Sequence, residues 1–388
     1  MNKNKYIPQG YKDSPLGIIP KEWEVKRLGD LCIDIYSGKN KVRVESGTYP
    51  VYGSTGIIGK TDEYKYDGDR ILVARVGAHA GQVSSASGKY DVSDNTIIVE
   101  NKEHYSQYFA YQQLIAANLN KLVFGSGQPL ITAGMLKRMY VICPPPVEQE
   151  KINAVLKLWD TAIEKQSKLI EKLKLRKCAL MQQLLTGKKR LPRFSGEWKE
   201  VRLGEIGKFV GGCAFNEQEQ GGQTGIPFYK VSDMNLSGNE SKMTIANNYV
   251  TQEQIERLGY IVIENEAIIF AKVGAAIALE RKRYAKNFII DNNMLAYIPI
   301  NNIWFIKYWF DSISLSKYIQ VGALPSYNAS DLSIIKLKMP SLKEQNTIAS
   351  VLLQADKEIE IQKQKLASLQ SQKRGLMQQL LTGKKRIK

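Results

Sequence analysis

Few residues in this chain of 388 have the types and spacing of a catalytic or metal-binding site. The four cysteines, at Cys32, Cys143, Cys178 and Cys213, are far apart in sequence and form no C-x-x-C pair, and the chain has only 2 histidines. Structural zinc sites normally combine four such ligands at close spacing. The pattern therefore predicts free thiols, mostly buried, and no resident metal ion.

The short motifs that remain are incomplete versions of those found in enzymes. An amino-methyltransferase grips its target amino group with [DN]PP[FYW], but the Pro144–Pro146 run lacks the leading Asp or Asn and the trailing aromatic residue. The segment ASGKY at Ala86–Tyr90 lacks the Ser or Thr that follows the lysine of a P-loop, and VGAHAG at Val76–Gly81 is not GxGxxG. Glu63 and Lys65 form an ExK tripeptide of the nuclease type without a convincing acidic partner upstream. We therefore expect no catalytic residue in this chain.

The charge of the chain favours a binding function. There are 55 Lys and Arg residues against 38 Asp and Glu, which gives a formal net charge of +17. Such an excess favours a polyanionic partner, usually nucleic acid. No stretch of 18 uncharged apolar residues is present, and no apolar segment follows the N-terminal lysines, so neither a membrane span nor a secretory signal is indicated. We expect a cytoplasmic protein that does not bind a membrane.

An internal repeat organises the chain. The eleven residues LMQQLLTGKKR occur at Leu180–Arg190 and again at Leu376–Arg386, 196 positions later. The same offset aligns the residues from Pro129 onward with those from Pro325 onward, without a gap. The chain is therefore two copies of one unit, each made of a variable body followed by a near-constant tail.

The bodies repeat as well, with a change of offset. EWEVKRLGDL at Glu22–Leu31 resembles EWKEVRLGEI at Glu197–Ile206 with an offset of 175, whereas ILVARVGA at Ile71–Ala78 matches IIFAKVGA at Ile268–Ala275 with an offset of 197. The second body is therefore longer by roughly 20 residues, and these fall between residues 227 and 274.

The two tails have the pattern of long coiled-coil helices. Positions that step by four and three residues are apolar in both tails, except for Gln166 and Lys177 in the first and Gln362 and Lys373 in the second. A heptad seam of this length is typical of a coiled coil, and polar seam residues set its register at some loss of stability. The seam positions are Ile152, Leu156, Trp159, Ile163, Gln166, Ile170, Leu173, Lys177, Leu180 and Leu184, and then Ile348, Leu352, Ala355, Ile359, Gln362, Leu366, Leu369, Lys373, Leu376 and Leu380.

Each tail also has signals for both helix ends. Pro144–Pro146 and Pro340 oppose helix upstream, and Gly187 and Gly383 stand where a left-handed C-cap residue belongs. A helix over residues 147–186 would be about 60 Å long. Parallel pairing would crowd both bodies at one end, so we expect an antiparallel pair with internal pseudo-two-fold symmetry and one body at each end. Two separate amphipathic helices, each packed on its own body, are the alternative.

We therefore predict an α+β protein with two mixed α/β domains and two long conserved helices that form an antiparallel coiled coil. The ranges are 1–146 for the first body with its N-terminal arm, 147–196 for the first helix and linker, 197–342 for the second body and 343–388 for the second helix. Trp23 and Trp198 should pack in the cores. Strands are expected at Arg70–Val76, Asn95–Val99, Tyr260–Ile263, Ile268–Val273 and Met294–Ile300, and helices at Tyr105–Asn118 and Ile303–Tyr318.

Two similar bodies on a basic chain are suited to reading two DNA half-sites, because domain spacing on a protein mirrors half-site spacing on a duplex. Basic and amide side chains in glycine-rich loops are the candidate contacts, since Arg and Lys donate to guanine and Gln bonds adenine. Each could instead contact phosphate or be a solvated charge. The candidates are Lys60, Arg75, His79 and Gln128 in the first body, and Lys272, Arg281, Lys282 and Arg283 in the second. Because the bodies have diverged, the site should be asymmetric.

The order of variable body, conserved helix, variable body and conserved helix resembles the specificity subunit of type I restriction-modification systems. The likeness rests on LGIIPKEWEVKRLGDL at Leu16–Leu31, FGSGQPLITAGML at Phe124–Leu136, CPPPVEQEKI at Cys143–Ile152, MPSLKEQNTI at Met339–Ile348 and the repeated LMQQLLTGK. VGALPSYNASDL at Val321–Leu332 departs from the pattern, because it lacks the glutamine that Gln128 supplies in the first copy. A role for Gln128 therefore does not carry over to the second body.

The resemblance implies two target recognition domains, each reading half of a bipartite site on double-stranded DNA, and two helices that act as a ruler and as the docking surface for two methyltransferase subunits. It also implies adenine-N6 methylation, with S-adenosylmethionine bound by the methyltransferase partner, ATP and Mg bound by a restriction and translocase partner, and no cofactor in this chain. The residues assigned to docking are Glu148, Gln149, Gln182, Gln183, Glu344, Gln345, Gln378 and Gln379.

Two other functions stay open at this point. One is DNA specificity for a related methyltransferase or phage-defence system without a restriction subunit. The other is a purely structural coiled-coil scaffold. Salt-dependent DNA affinity that disappears when either body is removed would exclude the scaffold.

Overall fold

The computed structural model describes residues 6–41, 44, 46–123, 129–320 and 325–387. The chain divides into two compact units, one made of Met1–Ser167 with Gln364–Lys388 and the other of Lys168–Lys363. Each unit therefore contains one body together with parts of both tails. The predicted ranges 1–146 and 197–342 each lie within one unit, whereas the two tail ranges, 147–196 and 343–388, are each divided between the units.

The first body is built from short strands and short helices. Its strands are β1 (Tyr11–Lys12), β2 (Ile19–Pro20), β3 (Glu24–Arg27), β4 (Cys32–Ser37), β5 (Tyr49–Gly53), β6 (Gly56–Thr61), β7 (Tyr66–Asp67), β8 (Arg70–Ala74), β9 (Val83–Ala86), β10 (Lys89–Val92), β11 (Thr96–Asn101) and β12 (Tyr140–Cys143). Its helices are α1 (Leu28–Leu31), α2 (Gln107–Ala117) and α3 (Ala133–Arg138), and β12 leads into the long helix α4 (Pro146–Leu184).

Two four-stranded sheets face each other in this body. One is antiparallel with the order β4, β11, β8, β9, and the other has the order β6, β5, β10, β7 with β5 and β10 parallel. Successive side chains of a strand point to opposite faces. Ile71 and Val73 of β8 accordingly join a core with Phe109 of α2, while Leu72 packs with Tyr66 and Tyr90 of the other sheet. The predicted β8 strand is therefore buried on both faces.

The second body repeats this plan. Its strands are β13 (Lys199–Arg202), β14 (Gly207–Gly211), β15 (Ile226–Tyr229), β16 (Tyr249–Val250), β17 (Ala267–Ala271), β18 (Lys282–Ala285), β19 (Ile289–Ile290), β20 (Met294–Pro299) and β21 (Lys336–Met339). Its helices are α5 (Gln252–Leu258), α6 (Ile303–Ser312) and α7 (Ala329–Ser333), followed by the long helix α8 (Leu342–Leu380). The order β14, β20, β17, β18 matches that of β4, β11, β8, β9, and β15 pairs in parallel with β19 as β5 does with β10.

The extra length of the second body lies where the change of offset places it. Residues 54–69 join β5 to β8, whereas residues 230–266 join the equivalent strands β15 and β17 and contain β16 and α5. The expected strand at Tyr260–Ile263 was wrong, because this segment forms only an isolated bridge from Ile263 to Phe288.

The helix expected over Ile303–Tyr318 is shorter than predicted. It ends at Ser312, and Ile313 is extended. Glu280 holds the following chain, because its carboxylate accepts hydrogen bonds from the Ser314 hydroxyl at 2.5 Å and from the Ser316 backbone N–H at 3.0 Å. A contact from a distant loop thus ends the helix before its apolar pattern does.

The tail helices agree with the sequence pattern closely. Helices α4 and α8 each have 39 residues, and every predicted seam position on them is buried or half-buried. Gly187 and Gly383 follow them in the left-handed conformation, with φ of 70° and 71°. Trp23 is fully buried, and Trp198 is half-buried against the core of its body.

Within each unit the two tail segments run antiparallel. In the first unit Lys373 Nζ lies 2.5 Å from an oxygen of Asp160, and in the second Lys177 Nζ lies 2.6 Å from Asp356. Farther along, Arg190 pairs with Glu344 at 2.6 Å, so residue numbers rise on one helix as they fall on the other. The antiparallel pairing is confirmed, and the alternative of two separate helices is excluded.

Candidate nucleic-acid interface

A loop at the end of strand β8 carries the first body's main DNA-contact candidates. We call residues 75–82 the β8 loop. The Ile131 N–H donates to the Arg75 carbonyl at 2.9 Å, and the Gly77 N–H donates to the Pro129 carbonyl at 3.0 Å. Two backbone hydrogen bonds thus join the β8 loop to the chain that follows residues 124–128. Gln128, one of the predicted contacts, lies outside the described residues.

The second body repeats this junction after strand β17. We call residues 272–281 the β17 loop. The Tyr327 N–H donates to the Lys272 carbonyl at 2.9 Å, and the Gly274 N–H donates to the Pro325 carbonyl at 2.9 Å. The matching segments ILVARVGA and IIFAKVGA therefore fold into equivalent strand-to-loop junctions, and Arg75 and Lys272 occupy equivalent positions in them.

Polar side chains surround an open cavity beside the β8 loop. His79 Nδ1 lies 2.9 Å from Gln82 Oε1, and both side chains are exposed. Asn118 ends helix α2 in the left-handed conformation with φ of 50°, and Asn120 follows it in a short 3-10 turn. These four residues line a cavity of about 490 Å³. Amide and imidazole groups in such a position can exchange hydrogen bonds with base edges.

The sequence reasoning missed Gln82, Asn118 and Asn120. A signal was present, since asparagine accepts the left-handed conformation more readily than most residues and Asn118 directly follows an apolar helical run. The predicted contact Lys60 is exposed on edge strand β6 of the other sheet and does not line this cavity. Arg75 donates from Nη1 to the Asp94 carbonyl at 3.2 Å and is half-buried.

The prediction for Lys282 requires a correction. Its side chain is 3% exposed, and its ammonium donates to the Ile313 carbonyl at 2.9 Å and to Glu280 at 3.2 Å. Strand β18 turns this residue inward, because Phe270 of β17 is its partner in the ladder. Lys282 is therefore an internal structural residue and is removed from the candidate contacts.

Its neighbours Arg281 and Arg283 keep charge near the surface. Arg281 is half-buried and donates from Nη1 to Asn235 Oδ1. Arg283 is half-buried as well, and burial together with the adjacent Arg281 lowers the pKa of its guanidinium. A phosphate beside these two residues would relieve their mutual repulsion.

Comparison with known proteins identifies the family. The family model for the type I restriction modification DNA specificity domain matches residues 20–175 and 195–371. This chain belongs to that family. The two matches cover the two repeats, each with a body and most of its tail helix.

The similarity to characterised specificity subunits extends over the whole chain. The chain is 25% identical over 431 residues to the type I restriction enzyme MjaVIII specificity subunit of Methanocaldococcus jannaschii, with coverage of 99% of this chain and 97% of that one. Among solved structures, the type I restriction-modification S subunit from M. genitalium has a TM-score of 0.58 at 18% identity, covering 92% of this chain and 96% of that one. A chain from a study of complex assembly and conformational transition of the type I R-M system has a TM-score of 0.60 at 16% identity, covering 94% and 99%. These structures share the fold of this specificity-domain protein.

The Glu-Gln pairs that begin the tails of this specificity-domain protein face inward. Gln149 and Gln345 are buried, and each donates from Nε2 to the carbonyl of a proline that precedes its helix, Pro144 or Pro340, at 2.9 Å. Glu344 is 2% exposed and accepts a hydrogen bond from the indole of Trp198 at 3.3 Å. Side chains that are buried and make internal contacts offer little surface to a docked partner.

Glu148 has the same internal role in the first unit. It accepts a hydrogen bond from the Trp23 indole at 3.1 Å and pairs with Arg386. The assignment of Glu148, Gln149, Glu344 and Gln345 to partner docking is therefore corrected to a structural role. The Gln-Gln pairs differ, since Gln182, Gln183, Gln378 and Gln379 are exposed.

Metal-binding clusters and membrane-spanning helices are absent from the described residues. These residues contain no group of three or more His, Cys, Asp and Glu side chains placed to hold a metal ion, and no helix among them is long and apolar enough to cross a membrane. The cysteines are free, with Cys32 and Cys143 buried, Cys213 intermediate and Cys178 exposed. The expectation of mostly buried thiols is met at Cys32 and Cys143 but not at Cys178, which is exposed.

Proposed function

We propose that each body of this type I specificity subunit reads one half of an asymmetric, bipartite site on double-stranded DNA. The observation that carries the proposal is that the two bodies build the same loop junction and fill it differently. His79, Gln82, Asn118 and Asn120 line an open cavity of about 490 Å³ in the first body. Different side chains at one structural position are what two different half-sites require.

The cavity at the equivalent place in the second body is much smaller. There, Glu280 and Arg281 of the β17 loop, with Leu315 after α6, surround a cavity of only about 10 Å³. The Glu280 carboxylate accepts hydrogen bonds from the Lys282 ammonium, the Ser314 hydroxyl and the Ser316 backbone N–H. Readout by this body would therefore use Lys272, Arg281 and Arg283 rather than an amide-lined cavity.

The helices would act as the ruler of the complex and as its docking surface. Within each unit the two helices pair along the seam, and the exposed Gln182, Gln183, Gln378 and Gln379 are the tail residues that two methyltransferase subunits would contact. We propose a cytoplasmic complex in which these partners bind S-adenosylmethionine and methylate adenine N6, and in which a restriction and translocase partner uses ATP and Mg. This chain would contribute recognition and no catalytic group.

The direct test is modification-sensitive long-read sequencing of the host genome, with this gene intact and deleted. Loss of one asymmetric, bipartite methyladenine motif on deletion is expected, and it would supply both half-sites and the spacer. An unchanged methylome, with expression of the chain verified, would overturn the proposal. Insertion of one or two helical turns into both tail helices, after Ser167 of α4 and after Lys363 of α8, should then lengthen the spacer without changing either half-sequence. Altered half-sequences with an unaltered spacer would contradict the ruler role.

A further inference from the structure

A polar contact on the seam joins the first body to both tail helices. Asp160 of α4 accepts a hydrogen bond from Lys373 Nζ of α8 at 2.5 Å and one from the Tyr108 hydroxyl of α2. Gln112, one turn after Tyr108, donates to Asp160 at 3.2 Å and accepts from Lys373 at 3.3 Å. We call Tyr108, Asp160 and Lys373 the first clasp.

The second unit contains an equivalent contact. Asp356 of α8 accepts a hydrogen bond from Lys177 Nζ of α4 at 2.6 Å and one from the Tyr308 hydroxyl of α6 at 2.6 Å. The Lys177 ammonium also lies 5.0 Å from the centre of the Tyr308 ring, in a cation–π arrangement. We call Tyr308, Asp356 and Lys177 the second clasp.

The two clasps take their tyrosines from different turns of equivalent helices. Ser106 caps α2 and Asn302 caps α6, so Tyr108 is the second residue of its helix, whereas Tyr308 is the sixth. At the sixth position of α2 stands Gln112, which also contacts its aspartate. The aspartates and lysines lie in the near-constant tails, while the hydroxyls come from bodies that have diverged. The two bodies therefore make the same contact with tyrosines at different positions of equivalent helices, as expected of a contact with a function.

A clasp restricts geometry more than apolar packing does. Leucine and isoleucine contacts tolerate small rotations and slips of a helix, whereas a hydrogen-bonded ion pair has preferred distances and angles, and one polar seam position can specify register. Burial and the neighbouring Asp160 carboxylate raise the pKa of Tyr108, so its hydroxyl stays protonated and available as a donor. The first clasp thus fixes α2 of the first body to one point of the seam, and the second clasp fixes α6 of the second body in the same way.

We propose that the two clasps are positioning contacts, which fix how each body sits on its helix pair and so limit the complex to one spacer length between half-sites. This inference rests on the proposed function and names residues that perform it. All of these residues lie outside the β8 loop and the β17 loop. Their effect on spacer preference would act through the positions of the β8 loop and the β17 loop, which belong to the same bodies.

The matched control is another ion pair between the same helices. Arg176 Nη2 lies 2.5 Å from Glu358, and their side chains are 56% and 38% exposed. The two residues belong to α4 and α8, so the pair links the helices to each other and not to a body. Surface pairs of this kind contribute little.

The test uses the complex of the full chain with its methyltransferase subunits, assayed on duplexes that carry both half-sites with the natural spacer or with one base pair more or fewer. Tyr108→Phe removes only the hydroxyl, and it should raise relative methylation of the altered spacers roughly tenfold, the effect expected for one charge-assisted hydrogen bond. Tyr308→Phe should do the same. Lys373→Arg, which keeps the charge, should retain the wild-type spacer preference, whereas Lys373→Met should lose it.

Glu358→Gln should leave the spacer preference unchanged. If both Tyr→Phe variants assemble and keep the wild-type preference for one spacer, the positioning role is wrong although the proposed function stands. If the wild-type complex methylates no bipartite site, the proposed function itself fails. Changed half-sequences at an unchanged spacer would also overturn the inference, because the clasps lie outside the β8 and β17 loops that carry the candidate base contacts.

Discussion

Arg190 donates from both Nε and Nη2 to the carboxylate of Glu344, at 2.6 and 2.7 Å, although Glu344 is 2% exposed. Arg190 ends one copy of LMQQLLTGKKR, and Glu344 begins the tail helix that carries the other copy. In the first unit, Arg386 at the end of the second copy pairs with Glu148 in the same way. The arginine that ends each copy of the motif therefore forms an ion pair with the glutamate near the start of the other tail helix. We call these two ion pairs, one in each unit, the closing contacts.

Loss of Arg190 should destabilise the second unit strongly. Arg190→Ala leaves a buried carboxylate without its cation, which typically costs about 3–5 kcal/mol. Arg386→Ala should cost about 1 kcal/mol in the first unit, because Glu148 is more accessible and surface pairs contribute less. Hydrogen exchange of peptides from α4 and α8, measured in each variant, would assign the loss of protection to one unit.

Lys385→Ala is the control for this comparison, since Lys385 is exposed in the same motif. Its protection pattern should match that of the wild type. Equal losses in Arg190→Ala and Arg386→Ala would show that the burial of Glu344 does not set the cost.

The two C-cap glycines should respond differently to alanine. Both have φ near 70°, where an alanine costs about 1–2 kcal/mol. A Cβ on Gly187 would lie 3.5 Å from the Trp198 ring, an ordinary contact, but a Cβ on Gly383 would lie 2.3 Å from Pro20 Cδ. Gly383→Ala should therefore lower stability by about 3 kcal/mol or more, since overpacking is added to strain.

Thermal unfolding of the two variants would check this difference. Gly196→Ala serves as the control, because a Cβ there has no neighbour within 4 Å and its φ is not in the left-handed region. A loss at Gly187 as large as that at Gly383 would mean that backbone strain alone sets the cost.

The tails could be predicted almost completely, because their structure is encoded locally. A heptad repeat places every seam residue, and a glycine after the last apolar position marks the helix end. The closing contacts depend on residues far apart in sequence, so Glu148 and Gln149 looked like exposed docking residues. The repeat contained a usable clue, since an antiparallel seam brings the basic end of each tail to the Glu-Gln start of the other.

The loops were harder to predict, because pairing of strands decides which side chains face outward. Lys282 lies in an unbroken run of basic residues, Arg281–Arg283, which has no alternation of polar and apolar positions to indicate a buried one. Similarly, Tyr260 and Val262 alternate as in a strand, but they pack against Phe228 without a continuous strand partner. Asn118 and Asn120 become candidates only once the end of α2 is seen beside the β8 loop.

Asp291 should make the stability of the second unit depend on pH. Burial raises the pKa of its carboxyl, an effect only partly offset by the Asn293 N–H and Lys230, while Asp233 adds to it. The folded state therefore holds this proton more tightly than the unfolded state, so the stabilising contribution is present below the unfolded pKa and is lost as pH rises through the folded pKa. Asp291→Asn should stabilise the chain at pH 7 and stabilise it less at pH 4, where more of the carboxyl is protonated.

Urea unfolding at the two pH values would measure this effect. Asp94→Asn is the matched control, because Asp94 occupies the equivalent repeat position and is only half-buried. A gain from Asp291→Asn that is equal or larger at pH 4 would contradict the assigned cause.

The β8 loop should determine the first half-site and leave the second unaffected. His79→Ala and Gln82→Ala each remove a group that lines the open cavity, and a lost base contact typically costs about 1–3 kcal/mol of discrimination. Methylation by the complex should therefore spread, by roughly 10- to 100-fold, to sites with one changed base in the first half-site only. Arg281→Ala should instead reduce discrimination at the second half-site and leave the first unchanged.

Lys89→Ala is the control, because Lys89 is an exposed lysine of the first body beside Tyr64, and this change should affect neither half-site. A uniform loss of affinity over all sequences, with a smaller dependence on salt, would instead assign the variant residue to a phosphate contact.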